Sequence, residues 1–123
     1  MDNYDDNVNK YDFGLMRQYT KKVSLGFTNG GNPVNFSSST ITSEIWNLER
    51  SKQYGSFLVT VTDATNGKLN ISLTKAKTTI LPDLVMYDIK ANTGSEEIAL
   101  LKGKIKVTNG ATTWVLPLMA KQK

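Results

Sequence analysis

The sequence contains no cysteine. Packing and backbone pairing must hold it together without disulfides, and thiols say nothing about compartment. It contains no histidine either. That removes the usual general base near neutral pH and, with cysteine also absent, most zinc and copper ligation. No run approaches the roughly 18–20 apolar residues of a membrane span. The opening stretch, MDNYDDNVNK, is polar and acidic, the opposite of a signal peptide. The expectation is a soluble protein that is not exported by the usual route. No internal repeat is evident.

Reactive chemistry is missing as well. Asp83, Asp88, Glu96 and Glu97 do not fall in a spacing that makes a calcium loop or a two-carboxylate hydrolase. Asp88 lies mid-strand and is expected to cap a loop or face water rather than act as a base. Asn29-Gly30-Gly31-Asn32 is not a phosphate loop, because no lysine and helix follow it. No catalytic, cofactor or metal residues are assigned, and an enzyme is not expected. The net charge of +4 is mild and does not resemble the basic stripe of a nucleic-acid binder.

What is present is β patterning. A chain of 123 residues suits one domain with a single core. Thr, Ser, Asn, Val and Ile are plentiful, and long helical periodicity is absent. The stretch 66–91 organises the rest. Leu69, Ile71 and Leu73 alternate with Asn70, Ser72 and Thr74, so one face of that strand is apolar and the other wet. A one-turn segment follows over 75–80, with Thr74 as its cap. Pro82 then makes a corner, since it lacks an N–H and fixes φ. Beyond it Val85, Tyr87 and Ile89 alternate with Met86, Asp88 and Lys90.

Further strands are predicted over 11–18, 21–28, 39–49, 56–62 and 97–108. Polar turns separate them, Asn29-Gly30-Gly31-Asn32-Pro33 being the strongest. The predicted core is Val23, Leu25, Phe27, Ile41, Ile45, Phe57, Val59, Val61, Leu69, Ile71, Leu73, Val85, Tyr87, Ile89, Leu101, Ile105 and Val107, with Phe36 plugging one end. Ala99 shares the inner face of the last strand, and Gly103 interrupts that face at a bulge or a close approach. The fold class expected is all-β, an antiparallel immunoglobulin-like β-sandwich of seven or eight strands. Residues 1–10 form an acidic arm, 11–108 the sandwich, and 109–123 a C-terminal strand or arm.

Four surface features stand out. Residues 1–14 hold four aspartates against one lysine, a net of −3, which leaves +7 on the rest of a +4 chain. This arm is either a frayed terminus or a segment that orders against a basic neighbouring subunit. Trp46 and Leu48 lie on the face of their strand opposite Ile41 and Ile45. The C-terminal segment, a neighbouring subunit, or, for Trp46, a stacked sugar ring would cover them. Trp114, Leu116, Leu118 and Met119 form an apolar edge strand or extended arm. Lys102, Lys104 and Lys106 form a row of period two. It is a solvated edge protected against aggregation, or a basic strip for an acidic partner or nucleic acid.

The order of short motifs resembles the N-terminal β domain of phage baseplate upper proteins and related phage tail-fibre and virion structural proteins. The matching pieces are Tyr11-Asp12-Phe13, the strand with Val23, Leu25 and Phe27, and Asn32-Pro33-Val34-Asn35-Phe36. They continue with the strand 43–50, Gly67-Lys68-Leu69-Asn70-Ile71, Leu81-Pro82, Tyr87-Asp88 and 100–107 with Gly103. Together they span about 11–108. The chain departs from tail-fibre relatives in ending at 112–123, where those continue into long domains. The resemblance implies a virion structural protein, assembled in the host cytoplasm, that attaches to or connects tail, baseplate or fibre components. Its partners would be other phage structural proteins and further copies of itself, with no nucleic acid, membrane or cofactor. A capsid decoration (cement) or head-fibre protein is the alternative of the same class, and a carbohydrate-binding module for host attachment the alternative of another. Trp46, Leu48, Trp114, Leu116, Leu118, Met119, Lys102, Lys104 and Lys106 are the interface candidates.

Overall fold

A computed structural model describes residues 9–109. They are mostly β, with strands β1 (Asn9–Lys10), β2 (Phe13–Met16), β3 (Lys21–Gly26), β4 (Thr28–Asn29), β5 (Asn32–Pro33), β6 (Thr40–Trp46), β7 (Gln53–Ser56), β8 (Leu58–Asp63), β9 (Lys68–Leu73), β10 (Leu84–Asn92) and β11 (Glu97–Thr108). Eight of these have four residues or more. The larger sheet runs β1-β11-β10-β6-β7, with β2 also on β11, and the smaller runs β3-β9-β8. The short strands β4 and β5 form a separate hairpin, whose turn residues Gly30 and Gly31 take φ of 61° and 86°. Both angles lie in the left-handed region that the Asn-Gly-Gly-Asn run is suited to.

The two sheets share one core. Leu69, Ile71 and Leu73 of β9 are buried in the same cluster as Val85, Tyr87 and Ile89 of β10 and Leu101, Ile105 and Val107 of β11. Phe57 links the sheets. The chain leaves the larger sheet after Ser56 and enters the smaller one at Leu58, while the Phe57 N–H donates to Ser43 O at 2.9 Å. The Phe57 and Tyr87 rings meet edge to face with centroids 5.9 Å apart. Phe36 is buried against Phe27 at one end of the cluster. The single-turn helix α1 (Lys75–Thr79) follows β9, and the Thr74 side chain accepts from the Lys77 N–H, as the capping residue there predicts.

Several expectations are corrected. Val61 is 39% exposed, because β8 is an edge strand whose far end runs past the core. Ala99 is exposed. The β10–β11 register shifts between Ile89/Leu101 and Lys90/Ala99, which leaves Leu100 as an extra residue and breaks the parity on which Ala99 was placed. Val23, Leu25, Ile41 and Val59 are only partly buried, packed against the cluster from its rim. Pairing is not antiparallel throughout, since β1 and β2 both run parallel to β11. The expected arm of residues 1–10 is therefore part of the sheet at Asn9 and Lys10.

Gly103 explains how β1 continues into β2. The Tyr11 N–H donates to Lys102 O at 3.0 Å, and the Tyr87 hydroxyl donates to Tyr11 O at 2.6 Å. The segment joining β1 to β2 runs along the side of β11 and presses against it at Gly103, where any Cβ would overlap the Tyr11 carbonyl. The close approach predicted at this glycine is made by that backbone. Burial pushes the Tyr87 phenol well above its ordinary value, with the nearby Tyr11 and Asp12 adding to the effect.

Candidate functional site

The outward face of the larger sheet carries the unusual side chains. Its rows follow from the register. Trp46 of β6, Met86 of β10 and Lys104 of β11 lie side by side. Glu44, Asp88, Lys102 and Lys10 form the next row across β6, β10, β11 and β1. Lys106 lies between Leu84 and Gly14. Lys90 reaches Glu44 at 3.7 Å and Glu97 at 4.0 Å.

A tight turn after β6 aims Arg50 back onto this face. The Asn47 side-chain oxygen accepts from the Ser51 N–H at 2.8 Å, and its carbonyl accepts from the Arg50 N–H at 3.0 Å. Arg50 takes φ of 57°, a left-handed conformation that the turn imposes. Its guanidinium then lies 4.7 Å from the Trp46 ring centroid and 2.7 Å from Asp88 Oδ2. Asp88 is therefore a buried partner of Arg50, which corrects the expectation that it caps a loop or faces water. Trp46 Nε1 and Asp88 Oδ1 are buried without a hydrogen-bond partner among the described residues. Arg50 thus lies over the ring on which a sugar would have to stack.

Beside this cluster lies a basin of about 480 Å³ lined by Lys10, Asp12, Leu48, Met86, Lys102, Gly103 and Lys104. Leu48 is 44% exposed there. Asp12 is the one acid in the lining, and its carboxylate accepts from the Lys104 backbone N–H at 2.8 Å. The basin combines apolar Leu48 and Met86 with basic Lys10, Lys102 and Lys104.

Of the residues named from sequence, the structure brings together Trp46, Leu48, Lys102 and Lys104, with Lys106 further along the same row. The lysine row is not on a sheet edge: β10 pairs along one side of β11, and β1 and β2 along the other. Trp114, Leu116, Leu118 and Met119 lie outside the described residues. Sequence reasoning missed Lys10, Arg50 and Met86. Met86 was visible as the outward neighbour of Asp88 in the period-two pattern. Arg50 and Lys10 gave no local signal, because a turn and a parallel strand pairing place them.

No family model and no curated protein matches this chain. Among solved structures, it is similar to one from work on multimeric cell-adhesive interactions of voltage-gated sodium channel β subunits, at 10% identity and a TM-score of 0.45, covering 82% of this chain and 93% of that one. It is also similar to a parallel homodimer of the extracellular domain of the voltage-gated sodium channel β4 subunit, at 9% identity and a TM-score of 0.41, covering 85% and 89%. Likenesses this remote carry no inference about function.

Proposed function

We propose that this chain is a virion structural protein, a small assembly subunit that attaches to or connects tail, baseplate or fibre components of a phage, and that it does so through the outward face of its larger sheet. In this reading the two sheets are the layers of an immunoglobulin-like β-sandwich. The observation that carries the assembly role is the basin, where half-exposed Leu48 and partly buried Met86 lie with Lys10, Lys102 and Lys104. Apolar anchors at the centre with charged groups at the rim are the usual anatomy of a protein contact. The phage setting rests on the resemblance of the motif order across 11–108.

A carbohydrate-binding role is less well supported, since Arg50 would have to leave both Trp46 and Asp88 before a sugar could stack. The test is mass spectrometry of gradient-purified particles, followed by immunogold labelling. The chain should be present in the particles at a fixed ratio to the major structural proteins, with label at the tail, baseplate or fibre. Its absence from purified particles would overturn the reading.

A further inference from the structure

We propose that the basin on the outward face of the larger sheet receives residues 1–8 of a second copy of this chain. The proposal deepens the assembly reading of that face and rests on it. Three observations point to this occupant.

The first is charge. The basin presents Lys10, Lys102 and Lys104 against Asp12, whose carboxylate is already engaged by the Lys104 backbone. Residues 1–8, MDNYDDNV, contain Asp2, Asp5 and Asp6 and no lysine or arginine. Lys10 and Lys104 are exposed, so an incoming carboxylate meets them without displacing protein groups from a core.

The second is the apolar content. Tyr4 lies between Asp2 and Asp5, and Val8 follows Asp6. The basin offers Leu48 and Met86, one half-exposed and one partly buried. A tyrosine against this apolar pair with carboxylates on the lysines satisfies both parts of the surface. Fully extended, eight residues reach roughly 26–29 Å, ample to cross the basin.

The third is direction, which distinguishes the second copy from the same one. β1 runs parallel to β11, with Asn9 opposite Leu101 and Lys10 opposite Lys102. Traced back from Asn9, the direction of β1 points along β11 towards Ile98 and Glu97, away from Lys104 and Lys106, so filling the basin from the same chain would require a reversal of direction. An arm arriving from another copy needs no such reversal. Reciprocal exchange of the two arms closes a two-fold pair, in which each copy uses one arm and one basin. Ordering the arm costs conformational entropy, so the contact should be modest in strength and sensitive to salt.

Sedimentation velocity on the full chain tests this. The parent should form a dimer at low salt that dissociates as salt is added. Lys10→Glu with Lys104→Glu should weaken dimerisation roughly tenfold or more, and so should Asp2→Lys with Asp5→Lys and Asp6→Lys. An equimolar mixture of the two variants should recover association, because each basin then meets an arm of opposite charge. Circular dichroism checks that each variant folds. If the glutamate variant does not, Lys10→Gln with Lys104→Gln replaces it and should also lose the dimer. A parent that stays monomeric at low salt would overturn the proposal. So would a dimer that survives both variants, or a mixture that fails to recover association. A monomeric parent found in purified particles would overturn the arm exchange alone. A dimer with the expected charge dependence, from a chain absent from particles, would overturn the virion reading alone.

Discussion

The two sheets close over one core but turn different faces outward. On the smaller sheet most outward side chains are short and polar, Ser24 on β3, Asn70 and Ser72 on β9 and Thr60 on β8, with Lys22 of β3 and Lys68 of β9 as the charged positions. Leu58 is the apolar exception, 67% exposed at the edge. On the larger sheet the corresponding positions hold Trp46, Met86, Asp88 and a row of lysines, tied together by Arg50. A β face that only needs wetting is served by serine, threonine and asparagine. A face that buries a carboxylate and a tryptophan under a guanidinium bears costs that folding alone does not require. The contrast separates the inward faces, which encode the fold, from the one outward face to which the proposal assigns the contact.

The largest effect should come from beneath both faces. Ile71 is fully buried on β9. Ile71→Asp would leave an unpaired charge in the core and should cost more than about 4 kcal/mol, enough to unfold a domain of ordinary stability. Loss of the cooperative thermal transition by circular dichroism is the expected result. A midpoint close to the parent's would break the assignment of inward parity.

Gly103→Ala comes next. Its Cβ would overlap the Tyr11 carbonyl, forcing the segment that joins β1 to β2 off β11. The expected cost is about 1–3 kcal/mol, read from chemical denaturation. A neutral result would mean that the β1–β2 segment yields freely, and with it one wall of the basin.

Arg50→Ala sharpens the comparison directly. The Asp88 side chain is 12% exposed and that of Arg50 45%. Removing the arginine strands a nearly buried carboxylate and uncovers Trp46, while its own exposure moderates the loss. A cost of about 1–3 kcal/mol and a red shift in tryptophan emission are expected. Asn70→Ala on the outward face of the smaller sheet should stay within about 0.5 kcal/mol. Equal effects at the two positions would erase the distinction between the faces.

A smaller effect at neutral pH than the loss of Arg50 concerns Tyr87. Its phenol ionises well above its ordinary value in the folded state, chiefly through burial. The unfolded chain releases this proton near pH 10 and the folded chain does not. The stabilisation is therefore fully present below the unfolded value and is lost as pH rises from there towards the folded one. Tyr87→Phe should cost about 1 kcal/mol at neutral pH, for the hydrogen bond to Tyr11 O. It should also flatten the alkaline loss of stability above pH 10, which is at most about 1.4 kcal/mol per pH unit for one proton. An unchanged alkaline slope would contradict the burial of the hydroxyl.

The inward faces were legible in the sequence because side chains in a strand alternate with period two. Leu69, Ile71 and Leu73, and then Val85, Tyr87 and Ile89, announced their burial without reference to any partner strand. Thr74 announced its helical turn in the same local way. The failures have a common cause. Ala99 was lost to a bulge, Val61 to the end of an edge strand, and Lys10 to a parallel pairing with a strand about ninety residues away. None of these leaves a periodic trace. The candidate face was half legible. Trp46, Leu48 and the lysine row stood out by parity, but the burial of Asp88 depends on Arg50, which a polar turn delivers from outside the strand.

Hydroxyl-radical footprinting, read by mass spectrometry under associating and dissociating salt, puts the central claim to its most direct test. Leu48 and Met86 sit on the outward face of the larger sheet, and Leu58 is the exposed apolar residue on the outward side of the smaller one. Association should lower the oxidation of Leu48 and Met86 and leave Leu58 unchanged. Protection of Leu58 with undiminished labelling of Leu48 and Met86 would contradict the assignment of the contact to the larger sheet.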